Sequence, residues 1–252
     1  MIEVRNLNFS YGQKKILKNI NLKVDSGEFA GIIGPNGSGK TTLLKNICRI
    51  LKPDQGVVLI DDRTYYKPKE LAQKLATVSE NGPINFDFTV SEVVLMGRTP
   101  FLRRFQREGK EDIEIAKKSM AATDTLQFIE RPITQLSAGE RQRVFIAQCL
   151  AQMPKIILLD EPTNYLDINH KIKIFEIFSS LNKAKGVTIL AILHDLNLAA
   201  RYCDKLILMS EGGIFASGKT EDVLTVENIQ KVYGVDVIIK RNETTGRLIV
   251  LY

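Results

Sequence analysis

The 252-residue chain has no tryptophan, only two histidines and only three cysteines. Cys48, Cys149 and Cys203 lie far apart and in no metal-ligand spacing. That argues against a disulfide framework or a zinc site and predicts buried, reduced thiols. No stretch approaches the roughly 20 apolar residues that cross a bilayer, so the chain is not expected to span a membrane. The N-terminal run Met1-Ile2-Glu3-Val4-Arg5-Asn6-Leu7 lacks the basic-then-apolar order of a signal peptide, and a cytoplasmic location is expected. Internal repeats, low-complexity linkers and sustained heptads are absent as well, which excludes solenoids and long coiled coils.

What is present is ordinary in bulk: 44% hydrophobic and 25% charged residues, as in a globular protein. The length suits one large α/β domain or two modest ones with a real core. A net charge of +6 is scattered, apart from the stretch Arg98 to Arg107. It fits an anionic neighbour or a plain solvated surface equally, and decides nothing.

Periodicity is more informative. Residues 2–9 and 16–24 mix β-branched and polar residues like two early strands. Glu28 to Ile33 is a short apolar run that ends in a glycine-rich turn. Leu43, Leu44, Ile47, Ile50 and Leu51 then recur at helical spacing over Thr41 to Leu51. Residues 57–60 and 75–78 suggest further strands. From Thr89 to about Met153 the pattern is helical, with capping boxes at Thr89/Glu92 and Ser137/Glu140. Ile113, Ala116 and Met120 fall on one helix face. Ile156 to Leu159 is apolar throughout, as a buried parallel strand would be. A helix with Ile168, Ile172, Phe175 and Phe178 on one side follows, then the strand Val187 to Leu193. Beyond Thr220 a short helix and a hairpin of Val235–Ile239 with Arg247–Leu251 are expected. The helical insertion predicts two lobes within one cassette over 1–252. About 1–87 and 154–219 form the nucleotide core with its β portion, about 88–153 the helical portion, and about 220–252 the tail.

The chemistry begins at Gly34-Pro35-Asn36-Gly37-Ser38-Gly39-Lys40-Thr41, a phosphate-binding loop pattern between a predicted strand and helix, with Thr42 the next candidate contact. Glycines let successive backbone amides turn inward around phosphate oxygens, and the helix N-terminus adds its positive dipole end. Lys40 would reach the β- and γ-phosphates, and the Thr41 hydroxyl would face Mg²⁺. Asp160 and Glu161, delivered by the apolar strand to its C-terminal edge, supply the carboxylates such a site needs. Asp160 would hold the metal through water, while Glu161 points elsewhere and can polarise the attacking water.

At this point the chain resembles the ABC ATPase family over essentially its whole length. Leu136-Ser137-Ala138-Gly139-Glu140 looks like the family signature, opening the predicted helix 138–152. The resemblance implies an α/β P-loop NTPase fold: a RecA-like core, an antiparallel β subdomain and an inserted α-helical subdomain. It also implies a head-to-tail dimer with two ATP sandwiched between copies, each γ-phosphate facing the signature of the other. Tyr11 lies where the family stacks an aromatic on adenine. Pro162 to Asp167 resembles the D-loop, with Asp167 contacting across the dimer, and His194 matches the switch histidine that senses the γ-phosphate. His170 has no such support and is expected to be a helix-surface residue. Nothing resembles the Asn-Lys-x-Asp guanine reader, so ATP is favoured over GTP. Two departures stand out: Glu80 where the family has a glutamine that contacts metal or water, and Ala138 where it has glycine.

Val94-Leu95-Met96-Gly97-Arg98-Thr99-Pro100, the run His194-Asp195-Leu196-Asn197-Leu198-Ala199-Ala200-Arg201-Tyr202-Cys203-Asp204, and the tail Val232-Tyr233-Gly234-Val235-Asp236 are similar to the iron-chelate, haem and cobalamin importer ATPases. The resemblance implies integral-membrane permease subunits and, indirectly, a substrate-binding protein as partners. It also implies a peripheral position on the cytoplasmic face of the membrane, and no nucleic acid. Asn81 to Phe88 and the basic Arg98 to Arg107 stretch are expected near a groove that meets the permease. Zinc or manganese importers share every catalytic motif and are the rival within the family. A translation-factor protein would carry two cassettes, a chromosome-organising one a long coiled coil, and a non-catalytic one would lack Lys40 or Glu161.

Overall fold

Alternation of buried and exposed residues along the first two strands shows how the chain begins to fold. In β1 (Ile2–Tyr11) the residues Ile2, Val4, Leu7 and Phe9 turn inward, and Lys14–Val24 forms β2 antiparallel to it. The computed structural model describes residues 1–79, 87–164, 166–243 and 246–251. They divide into two compact units, Met1–Tyr65 with Asn182–Tyr252 and Tyr66–Leu181.

In the first unit, β4 (Gln55–Ile60) pairs with the other edge of β1, giving a three-stranded antiparallel sheet in the order β2-β1-β4. Gly56 must be glycine there. Its φ is +86°, and a Cβ would lie 2.4 Å from the Asn6 carbonyl oxygen. A second sheet holds β3 (Phe29–Ile33) between β7 (Thr188–Ile192) and β8 (Lys205–Ser210), all parallel, with β9 (Gly213–Lys219) antiparallel to β8. Every residue of β3 and β7 is buried, which is why these strands read as continuous apolar runs rather than alternating ones.

Helix α1 (Lys40–Ile47) follows β3 and ends earlier than its apolar spacing suggests. Arg49 turns into the left-handed region at φ 63°, and Ile50 is left exposed. Helix α7 (Leu196–Tyr202) is capped by Asp195, whose carboxylate accepts from the Asn197 and Leu198 amides. The tail holds two short helices rather than one, α8 (Thr220–Val223) and α9 (Val226–Tyr233). Gly234 stops α9 in the left-handed conformation, so Val235 is exposed outside the hairpin. The hairpin pairs β10 (Ile238–Arg241) with β11 (Leu248–Leu251). Asn197 pins it to α7: its amide donates to the Val250 carbonyl (3.1 Å) and its carbonyl accepts from the Val250 amide (2.8 Å).

In the second unit, α2 (Pro68–Ala72) leads into β5 (Leu75–Val78), which pairs in parallel with β6 (Ile156–Asp160). Between them lie α3 (Val90–Leu95), a 3₁₀ turn over Met96–Phe101, α4 (Lys110–Ala122) and α5 (Ala138–Ala151). Their shared core includes Val90, Val94, Met120, Ile133, Leu136 and Val144. Both capping boxes form as the i, i+3 spacing predicts. Two face assignments differ. On α4 the buried positions are Ala116, Ser119 and Met120, while Ile113 is 41% exposed. On α6 (Ile168–Lys185) burial falls on Ile174, Phe175 and Phe178, while Ile168 is 72% exposed. Each of these isoleucines lies in the first turn of its helix. Among the described residues, no helix is long and apolar enough to cross a membrane.

Candidate nucleotide site

The loop from Gly34 to Gly39 is shaped by three left-handed glycines, with φ of 147°, 82° and 100° at Gly34, Gly37 and Gly39. No side chain could replace the first, since a Cβ at Gly34 would stand 2.2 Å from the Met209 carbonyl oxygen. Lys40, at the first turn of α1, folds back over the loop. Its ammonium donates to the carbonyls of Gly34 (2.8 Å) and Pro35 (3.0 Å), and the side chain is almost fully buried. A buried ammonium needs oxygen partners; these carbonyls hold it where a phosphate chain would bring stronger ones. The Ser38 hydroxyl is buried and has no hydrogen-bond partner among the described residues, which suits a polar ligand. Asn36 and Gly37 are exposed, Pro35 and Gly39 partly so, and Thr41 and Thr42 are half-buried in the first turn of α1. No acidic residue sits in that turn to offset the positive end of the helix dipole.

Strand register sets two further candidates beside this loop. Ile32 stands opposite Ile192 in the parallel pair of β3 and β7. Two residues on, Gly34 and His194 leave the same sheet edge together, His194 exposed to solvent. Tyr11 ends β1 opposite Lys14, two residues before Ile16. The Ile16 carbonyl lies 3.3 Å from where a Gly39 Cβ would stand, so Tyr11 closes the ribbon at its loop-facing end. Tyr11 is 49% exposed, and Phe9 braces its ring edge-on at 4.9 Å.

The second unit carries the remaining candidates. Asp160, the last residue of β6, is 8% exposed, and Glu161 turns sharply out of the strand at φ 50°. Asn164 donates to the Glu161 carboxylate, holding it over its own turn. The signature residues Ser137 and Ala138 are exposed at the tip of α5, with Gly139 and Glu140 half-buried behind them. Glu140 closes the capping box, accepting from the Ser137 hydroxyl (2.7 Å) and amide (2.8 Å). The Ser137 hydroxyl, and next its amide, hold the Glu140 carboxyl below the usual range, so it stays ionised and occupied by the cap. Asp167 stands just ahead of α6, its carboxylate 65% exposed. Glu80 lies outside the described residues.

Sequence periodicity missed three side chains around α5. Gln142, buried, donates to the Pro162 carbonyl at 3.0 Å. Arg143 meets His170, so that histidine is a bridging group rather than a free surface residue. Arg98, part of the basic stretch, is buried and paired with Asp112 at 2.9 Å. Only their burial in a folded unit distinguishes these residues from solvated polar ones.

Residues 17–164 match the ABC transporter family. The ferric enterobactin transport ATP-binding protein FepC of Escherichia coli is 40% identical over 247 residues, covering 97% of this chain and 91% of that protein. The cobalamin import ATP-binding protein BtuD of Halobacterium salinarum is 36% identical over 251 residues, covering 99% of this chain and 63% of that longer protein. Among solved structures, the dimeric post-hydrolysis state of the ATP-binding cassette MJ0796, bound to ADP and Pi, is 32% identical with a TM-score of 0.78. It covers 87% of this chain, which in turn spans 99% of it. A phosphate loop built on three left-handed glycines, an α/β core and a capped signature helix thus meet likeness along nearly the full chain, and the chain belongs to the ABC transporter family.

Proposed function

We propose that this chain is the ATP-hydrolysing subunit of an importer for large metal chelates, of the iron-siderophore, haem or cobalamin kind. The observation that carries the catalytic half is the lysine-tied loop with His194 leaving the sheet beside it. The cargo class rests on the relatives, one acting on ferric enterobactin and one on cobalamin, and on their coverage of this chain from end to end.

ATP would lie with its phosphates in the loop, its charge met by the Lys40 ammonium, the loop amides and the α1 N-terminus. Tyr11 would stack on the adenine. Glu161 would orient the water for in-line attack on the γ-phosphorus, with His194 contacting the γ-phosphate. Thr41 and Asp160 offer hard oxygen donors that suit Mg²⁺, and Glu80 is a further candidate ligand. Among the described residues no group of three His, Cys, Asp or Glu side chains could cage a metal ion. That fits a cation held mainly by phosphate and water, with few protein ligands. When bound, Mg²⁺ would neutralise phosphate charge.

A second copy would complete each site, its Ser137, Ala138 and Gly139 amides facing the γ-phosphate and its Asp167 crossing the dimer. The ADP- and Pi-bound relative is itself dimeric, which supports this arrangement. Closing and reopening of the pair would drive integral-membrane permease subunits from the cytoplasmic face, with a binding protein delivering cargo on the far side. Disruption of the gene, followed by uptake assays with ferric siderophores, haem and cobalamin against zinc and manganese, tests the cargo class. Loss confined to one chelate class is expected; loss confined to zinc or manganese transfers the chain to the rival importer class.

A further inference from the structure

His170 has two nitrogens and two partners of opposite character. Asp167 accepts twice from this residue: its Oδ1 takes the His170 backbone amide at 2.9 Å, and its Oδ2 lies 2.8 Å from Nδ1. On the other side, a guanidinium nitrogen of Arg143 lies 2.7 Å from Nε2. Guanidinium can only donate and an ionised carboxylate can only accept. Nε2 must therefore offer its lone pair to Arg143, and Nδ1 must carry the proton toward Asp167. The surroundings dictate one neutral tautomer.

This pairing bears on the site because of where its ends lie. Arg143 belongs to α5, whose tip is the Ser137 cap. Its neighbour Gln142 grips the Pro162 carbonyl, so consecutive residues of one helix hold the 162–167 segment at its start and, through His170, at its end. Without an acceptor at Nε2, Arg143 loses this tie and helix α5 the second of its two grips. The other charged groups around the ring are Asp124, which follows α4 and acts electrostatically with Arg143 and His170, and Lys173, which pairs with Asp124.

We propose that His170 is a positioning residue: donating from Nδ1 and accepting at Nε2, it locks Asp167 in register with the signature helix, so both meet the second copy together. The proposal rests on the dimeric arrangement above.

Two measurements on the full-length chain test it. Nitrogen chemical shifts of the imidazoles, with His170 assigned by loss of its signals in His170→Gln, should show a neutral ring protonated on Nδ1 at pH 8. A ring protonated on Nε2, or charged, overturns the proposal. The second is ATP-driven dimerisation in a Glu161→Gln background, followed by sedimentation. Adding His170→Phe should weaken it about tenfold, the effect of one charge-assisted hydrogen bond. Adding His170→Gln instead should restore it, because an amide can donate to Asp167 and accept from Arg143. Equal dimerisation with and without His170→Phe overturns the proposal. A Nδ1–H ring in a protein that never dimerises with ATP refutes the dimer instead and leaves the pairing standing.

Discussion

Replacing Arg98 by methionine should destabilise the chain by about 2–3 kcal/mol, although this residue belongs to a stretch that looks like a solvated basic face. Its guanidinium is buried against three segments of the second unit. Nε donates to Asp112 in α4 (2.9 Å), NH1 donates to the Ala151 carbonyl at the end of α5 (2.9 Å), and the group stacks on the Phe101 ring at 4.3 Å. Removing one partner of a buried pair commonly costs about 3–5 kcal/mol, because the remaining charge is stranded. Asp112 still keeps the Gly109 amide, and methionine refills part of the space, which lowers the expected loss. For a chain of this size that corresponds to a melting temperature about 5–10 °C lower. Arg98→Lys should recover little, since an ammonium cannot reproduce the two divergent donors of the guanidinium. The pH dependence carries its own sign. Arg98 first, and the Gly109 amide next, hold the Asp112 carboxyl below its usual range. A carboxyl depressed by folding contributes stability above its unfolded value, about 3.9, and loses it as pH falls through the folded value. Arg98→Met should therefore show a shallower loss of stability on acidification than the parent. Urea or thermal unfolding between pH 7 and 3 measures both effects. A variant within about 0.5 kcal/mol of the parent, with the same acid profile, would refute the reasoning.

Lys40→Ala should abolish measurable nucleotide binding by calorimetry, because the only ammonium folded over the loop among the described residues is removed; retained affinity would show that the amides suffice. Glu80→Gln should change ATP turnover or its metal dependence, since the family resemblance puts a glutamine at this position, and a carboxylate there would add charge that attracts the metal and repels phosphate. An unchanged rate and metal dependence would reject that idea. Gly97→Ala should cost about 1–3 kcal/mol in unfolding experiments. The added Cβ would stand 2.4 Å from the Gln148 carbonyl oxygen of α5, and helix backbone cannot yield as a side chain can.

What was legible in the sequence was what local geometry decides. The phosphate loop is eight consecutive residues whose glycines take left-handed conformations, and both capping boxes span only four residues, so pattern and structure coincide there. The all-apolar runs at β3, β6 and β7 likewise announced strands buried on both faces. Illegible were the features set by distant partners. Arg98 and Asp112 are 14 residues apart, and Arg143 and His170 are 27 apart; each reads alone as an ordinary polar residue on a helix or turn. Helix periodicity also says which side is apolar, not how far the neighbouring core reaches along it. That is why Ile113 and Ile168 stay exposed in first turns, and why α1 stops short of Ile50. Of the site residues, the loop and His194 follow the ends of neighbouring strands, and Tyr11 ends β1 in the same unit.

The central claim is that two copies share two ATP molecules. The most direct measurement is the mass and nucleotide content of Glu161→Gln with ATP and Mg²⁺, beside hydrolysis by the parent. If Glu161 orients the attacking water, as proposed, bound ATP should persist in the variant, and the account predicts a stable dimer holding two ATP. A monomer carrying one tightly bound ATP, while the parent hydrolyses ATP normally, would contradict it.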